Sequence, residues 1–335
     1  MNLQSISSSR RSFLLVAAAA MASMAPHASL AETPAWPTRS VKIVVGTGPG
    51  SGTDMVARIL APRLAEIWKQ PVVVENKAGA GGIIGTESVL ASNDGHTLLM
   101  ASPSMLLAKY TTRGLRFDPL TDLIPVYRVF NTPVVFVTNT KTAQRAKSLA
   151  GLVELSKSSP QGIFFAGAGR SSFFSLSMAV LAKPMGLHYA PVDFTGMGPL
   201  TMALIRDDAQ LALSGYLSVK GQLDAKELHA LAVVDSKRLA ALPDVPTLQE
   251  AVGYKGFLPI SWGGIFVPKT MPAAAVDVIA RAFGTLYADE PARKSLEDRL
   301  GGTLVQSSPA QFAKEYAEEA NAWKNTFATL GIVPE

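Results

Sequence analysis

From residue 41 onward, short β-branched apolar runs alternate with stretches whose apolar positions recur every three or four residues. "SVKIVVGTG" reads as a buried parallel strand, because its apolar run is β-branched and bounded by glycine. In "TDMVARILAPRLAEIWK", Met55, Val56, Ile59, Leu60, Leu64, Ile67 and Trp68 fall on one helical face, and Thr53 or Asp54 can cap the helix. "PVVVEN" is a second strand, followed by the glycine loop "KAGAGGIIG", the helix "IIGTESVLAS" and a third strand, "HTLLMAS". Strand, loop and helix in regular alternation predict a parallel α/β sheet with helices on both faces.

Near residue 130 the pattern changes. "NTPVVFVTN" is a long β-rich stretch, "AKSLAGLVELSKSS" is helical, and "GIFFAGAGRSSFFSLSMAVLA" repeats the motif of strand, Gly-x-Gly loop and helix. Aligning Val45-Gly46-Thr47-Gly48 with Ala166-Gly167-Ala168-Gly169 gives a weak internal repeat, which points to two similar α/β lobes. Ligands in open α/β sheets sit beyond the carboxyl ends of the strands. Loops 46–54 and 167–172 are therefore expected on opposite walls of one cleft. "LHALAVVDSKR" supplies a strand, "LPDVPTLQEA" a proline-rich connection and "ISWGGIFVPKTMP" a return crossing. Two helices, "PAAAVDVIARAFGTLYAD" and "SPAQFAKEYAEEANAWKNTFATLG", close the chain.

Familiar phosphate motifs fail on spacing. The P-loop needs a lysine after its glycines, and none follows here. The dinucleotide fingerprint begun at Gly46 needs glycine where Ser51 stands. Glu75 occupies the place of a ribose-binding acid, but a second glycine loop follows it at once. The serine-hydrolase elbow G-x-S-x-G is absent. His96, His188 and His229 lack metal-ligand spacing and read as loop or surface residues, and Asp193, Asp207 and Asp208 read as solvated loop charges. Neither a catalytic group nor a metal or cofactor site is expected.

Carboxylate capture fits the loops better. Backbone N–H groups at a helix N-terminus carry partial positive charge and lack internal partners, and glycine lets the chain wrap closely around an anion. "PGSGTD" and "AGAGG" could clasp a carboxylate with no charged side chain. Each charge-assisted hydrogen bond contributes roughly 1.5–3 kcal/mol, so a few suffice for micromolar binding. The alternative is a pair of loops that merely turn strand into helix.

Composition narrows the setting. Residues 1–31 hold Arg10 and Arg11, the apolar run Phe13–Ala25 and small residues Ser29 and Ala31, the pattern of a secretory signal cut after Ala31. "SRRSFL" fits both an ordinary signal and the twin-arginine route. Losing those two arginines takes the formal charge of the 335-residue chain from +5 to +3, and no basic block indicates nucleic acid. The chain has no cysteine, so an exported form has no disulfides and must hold itself by its core.

"WPTRSVKIVVGTGPGSGTDMVARIL", "VVVENKAGAGGIIGTESV", "LPDVPTLQEA" and "SWGGIFVPKTMP" together resemble the Bug family, the substrate-binding receptors of tripartite tricarboxylate transporters. The likeness runs from Trp36 to about Gly331. It implies a two-lobed periplasmic-binding-protein fold of type II (a Venus flytrap), each lobe a Rossmann-like sheet flanked by helices. Residues 32–138 and 261–335 would form one lobe and 139–260 the other. It further implies a monomeric periplasmic receptor without catalysis, which hands an organic anion to a large and a small membrane subunit. By the resemblance, Ser51, Gly52, Thr53 and Asp54 match the first carboxylate loop, and Ala80, Gly81 and Gly82 the second. Ser102 and Ser104 border the pocket after the third strand. "AGAGRSSFFSL" and "FTGMGP" match the second-lobe stretches that set ligand choice, which brings in Arg170, Ser171, Ser172, Phe173, Ser175 and Thr195.

Departures from the family pattern are informative. Thr47 stands where an aromatic residue is common, and Gly46 replaces a proline. Ser175 replaces a histidine, and Arg170 replaces a small polar residue. A pocket enlarged at one end, with a guanidinium and the rings of Phe173 and Phe174, would suit an aromatic mono- or dicarboxylate of the terephthalate or phthalate type. In the alternative, Arg170 points to solvent and the phenylalanines pack in the core. Aliphatic ligands such as citrate, succinate or glutamate, and a signalling rather than transport role, also fit the sequence.

Overall fold

A computed structural model describes residues 36–300 and 302–332, so the signal expected at 1–31 lies outside the described residues. The first half of the chain runs β1 (Val41–Val45), α1 (Gly52–Trp68), β2 (Val72–Asn76), a 3₁₀ turn (Ala80–Gly82), α2 (Ile83–Ser92), β3 (Thr97–Ala101), α3 (Pro103–Thr111) and β4 (Leu123–Thr132). There follow β5 (Val134–Asn139), α4 (Thr140–Ala146), α5 (Leu149–Ser156), β6 (Ile163–Gly167), α6 (Phe173–Met185), β7 (Tyr189–Asp193), α7 (Met197–Ile205), β8 (Leu211–Gly215), α8 (Tyr216–Asp224), β9 (Leu228–Val233) and α9 (Leu248–Val252). The chain ends through β10 (Ser261–Pro268), α10 (Ala273–Ala288), α11 (Glu290–Leu300), β11 (Thr303–Leu304) and α12 (Pro309–Leu330).

The strands form two sheets, ordered β11-β4-β10-β3-β1-β2 and β7-β6-β8-β5-β9. Neither is wholly parallel. β10 runs antiparallel between β3 and β4, and β5 runs antiparallel between β8 and β9. Each of these strands is the one that has just arrived from the other half of the chain. Leaving out the edge strand β11, the two orders correspond when one is reversed, and β1 and β6, the sites of the internal repeat, hold the same place.

Alternation along β1 sets both faces of the first sheet. Val41, Ile43 and Val45 pack under Val56, Leu60, Leu64 and Trp68 of α1 and under α10. Val44 points the other way, into a cluster with Leu99, Phe266 and the α12 residues Phe312 and Tyr316. The second sheet is likewise covered on one face by α5 and α6 and on the other by α7 and α8.

Two boundaries move from expectation. "NTPVVFVTN" is two strands of different sheets, divided at Pro133, so the change of sheet comes before the expected 138/139. Proline has no N–H to continue a ladder, and with Asn131 and Thr132 before it Pro133 separates the two strands. α12 also does not belong to the first lobe alone. Its Phe312, Tyr316 and Ala320 pack with the first sheet, whereas Trp323 and Phe327 pack in a second-sheet core.

Candidate functional site

A cavity of about 450 Å³ lies between the carboxyl ends of the two sets of strands, lined by Gly46–Gly48, Ser51–Thr53 and Ala78–Gly82 on one side and by Phe173, Phe174, Phe194 and Met197 on the other. Six helices open onto it. The N-cap residues of α1, α2, α3, α6, α7 and α8 are Ser51, Gly82, Ser102, Ser172, Gly196 and Gly215, and every one of them lines the cavity. Strand-then-helix topology explains this, because each helix starts where its strand ends. Each N-terminus carries roughly half a positive charge and N–H groups without helical partners. No lining residue carries a charged side chain. The cavity is therefore anion-seeking through backbone alone.

The first glycine loop is braced by its own hydroxyls. Thr47 Oγ1 lies 2.6 Å from both Ser51 Oγ and Thr53 Oγ1, and Ser51 Oγ accepts from Asp54 N at 3.3 Å to cap α1. Asp54 is 3% exposed and faces away from the cavity. Its carboxylate accepts from Gly50 N, Arg58 Nε and Asn76 Nδ2 at 2.8–2.9 Å, and Asn76 also donates to Thr47 O. Asp54 thus shapes the loop rather than lining it.

The second loop depends on close approach. Gly79, Ala80, Gly81 and Gly82 all have positive φ, and the Gly82 N–H closes the turn by donating to Gly79 O at 2.9 Å. A Cβ on Gly85 would meet Gly46 Cα at 2.9 Å and Lys77 O at 3.0 Å. Glycine is required there to bring the two loops together. In the next loop, Ser104 Oγ accepts from Phe173 N at 2.8 Å, which ties α3 to the first amide of α6 across the two halves.

Of the residues singled out by sequence, Thr47, Ser51, Gly52, Thr53, Ala80, Gly81, Gly82, Ser102, Ser104, Ser172, Phe173 and Thr195 line the cavity, and Asp54, Arg170, Ser171 and Ser175 are not among its lining residues. The Arg170 side chain is 80% exposed, with Nε 3.9 Å from Asp193 Oδ2. Gly169, at φ 94°, precedes it. Ser175 pairs with Ser172, whose Oγ donates to Ser175 Oγ at 2.9 Å and accepts from its N–H. The Arg170 guanidinium, one of the groups singled out for a ligand, thus lies beside Asp193 and outside the cavity lining. Phe130, Thr132, Phe194, Met197, Gly215, Ser218, Ser261 and Trp262 also line the cavity and were not anticipated as site residues. Gly215 and Ser218 follow β8, the counterpart of β3, so extending the internal repeat by one unit would have found them.

Two matched α/β sheets, joined by two crossings and opening a charge-free cavity onto six helix N-termini, define a two-lobed solute-binding receptor. Residues 56–332 match the model of the tripartite tricarboxylate transporter family receptor, TctC, and the chain belongs to that family. Its relatives include BugT of Bordetella pertussis, 30% identical over 88% of this chain and 90% of that protein. Another is a UPF0065 protein from the tcbD-tcbE intergenic region of Pseudomonas sp. strain P51, 29% identical over 87% and 86%. Among solved structures, R. palustris Rpa4515 with adipate has a TM-score of 0.84 at 27% identity, covering 90% of this chain and all of that one. The periplasmic binding protein BugD gives 0.82 at 27%, over 90% and 100% of the two chains. MatC from Rhodopseudomonas palustris with bound malate gives 0.80 at 27%, over 87% and 99%. The family is that of a transporter receptor rather than an enzyme, BugD is a periplasmic binding protein, and two of these neighbours hold a dicarboxylate, adipate in one and malate in the other. No described helix is long and apolar enough to cross a membrane.

Proposed function

We propose that this receptor is exported by its first 31 residues and, as a monomer, captures an aromatic mono- or dicarboxylate of the terephthalate or phthalate type. It delivers that ligand to the large and small membrane subunits. One carboxylate sits on the Thr47, Ser51 and Thr53 hydroxyls and the amides of Ala80 and Gly81. The ring lies against Phe174, Phe130 and Phe194. A far carboxylate meets Thr195 and the N-termini of α7 and α8, taking the place first expected for Arg170. The observation that carries this reading is a cavity with aromatic walls, six helix N-termini and no charged side chain. Backbone dipoles supply the attraction for an anion, and the apolar walls favour a flat, poorly hydrated body. An aliphatic dicarboxylate is the second reading, favoured by the adipate in the Rpa4515 structure.

The test is thermal denaturation of residues 32–335, refolded free of carried-over ligand, with terephthalate, phthalate, benzoate, adipate, succinate and citrate. A ligand at 100 times its Kd adds about 2.7 kcal/mol of stability, a shift of a few degrees. Response to ring acids alone supports the aromatic reading. Response to adipate or citrate alone moves the function to aliphatic acids, and silence from every acid defeats carboxylate capture.

A further inference from the structure

Trp262, at the start of β10, is 1% exposed and forms part of the cavity wall. Its indole N–H donates to Glu319 Oε2 at 2.7 Å, behind that wall. Glu319 stands on α12 at the point where the helix passes from one half of the fold to the other. Tyr316 packs beside Trp262, ring centroids 6.0 Å apart, and Trp323 packs on Phe173 of the opposite wall, also at 6.0 Å. Glu319 is half-buried as a residue, yet its Oε1 is shut off from water and without a hydrogen bond, as is Trp323 Nε1. A carboxyl in that position is costly to keep as an anion.

The charges around it are few. Arg128 of β4 lies over the Trp262 ring, Cζ 5.9 Å from its centroid, donates to Asn131, and pairs with Glu315 at 3.1 Å. Glu315 lies one turn earlier on α12. The Tyr316 phenol is held well above its usual range by burial, and the Lys109–Asp118 pair lies beyond it. Burial pushes the Glu319 carboxyl up to about 7, against the pull of Arg128 and the Trp262 indole N–H, with Glu315 adding to the push.

We propose that Glu319 is a positioning residue for the cavity: its protonation state sets how the Trp262 wall is held, and capture of a carboxylate proceeds with proton uptake at Glu319. Ionised Glu319 grips the indole by a charge-assisted bond, and protonation weakens that grip. An anion in the cavity would face a second negative charge across one indole ring, with Arg128 already paired to Glu315 and no lining side chain to offset it. The bound state therefore favours protonated Glu319. By reciprocity, affinity for the anion rises as pH falls through the titration. The uptake half of this inference rests on carboxylate capture, and the positioning half does not.

The experiment follows the Trp262 indole ¹H–¹⁵N resonance, assigned with Trp262→Phe, in the unliganded protein and with terephthalate or adipate. In free wild type the resonance should move with a midpoint near the Glu319 value of about 7. In Glu319→Gln, which keeps an acceptor but cannot ionise, it should stay fixed. A saturating probe should raise the midpoint by about half a pH unit, so that Kd tightens about threefold between pH about 8.5 and 6.2 in wild type and stays flat in Glu319→Gln. A resonance that does not titrate, or that still titrates in Glu319→Gln, overturns the positioning role. A midpoint unmoved while a probe binds overturns proton uptake. If neither probe binds, the carboxylate reading fails together with proton uptake, and the free-protein titration alone decides the role of Glu319. If Glu319→Gln does not fold, the wild-type titration still decides it.

Discussion

On the first-sheet side, the cavity is bounded chiefly by backbone and hydroxyls, with four successive residues of positive φ from Gly79 to Gly82 and the Thr47–Ser51–Thr53 cluster, and the rings of Phe130 and Trp262 stand beside them. On the second-sheet side the same topology also presents three helix N-termini, but between them stand Phe173, Phe174, Phe194 and Met197. The first wall is fixed from behind by Asp54 and the Gly46–Gly85 contact. The second is fixed by side chains that fill space. Such a contrast separates two tasks. A wall of dipoles recognises any carboxylate, and a wall of rings discriminates among the bodies attached to it.

The largest effect should come from cutting the brace of the first wall. Asp54→Ala removes the carboxylate that the Gly50 amide, Arg58 and Asn76 share, leaving Arg58 and Asn76 only their bonds to each other and to Thr47 O. A loss of about 2–3 kcal/mol in urea unfolding is expected, with at least tenfold weaker binding of every carboxylate alike. Loss confined to one ligand would mean the first wall is selective after all. Thr53→Val removes one hydroxyl of the cluster without disturbing the turn, and should weaken all carboxylates by about tenfold in calorimetry.

On the second wall the effect should be smaller and uneven. Phe174→Ala is expected to weaken a ring carboxylate about fivefold and an aliphatic one less than about twofold; equal losses would remove the distinction between the walls. Arg170→Ala should change affinity less than about threefold, because an exposed pair at 3.9 Å contributes little. A tenfold loss there would return the guanidinium to the pocket.

How far the sequence revealed this contrast follows from the range of each contact. The first wall was legible because "PGSGTD" and "AGAGG" each lie at a strand end, and glycine spacing reports local backbone needs. The second was half legible. Phe173 and Phe174 were read as a ring wall and line the cavity, but the chemistry of Arg170 suggested a ligand contact that the turn at Gly169 directs toward Asp193 instead. Phe130 and Trp262 were invisible, since only the placement of β10 beside β4 brings residues so distant in sequence to one cavity. The split at Pro133 falls on Asn131-Thr132-Pro133, a short interruption that marks a break in a ladder without saying that the next strand belongs to another sheet.

The six helix N-termini also bear on how such a receptor can change over generations. Peptide dipoles belong to the main chain, so no single codon change deletes the attraction for an anion in the way that losing an arginine would. Ring side chains on the opposite wall can be exchanged one at a time while that attraction persists. A lineage built on this frame can drift from one acid to another without passing through an ancestor that binds none.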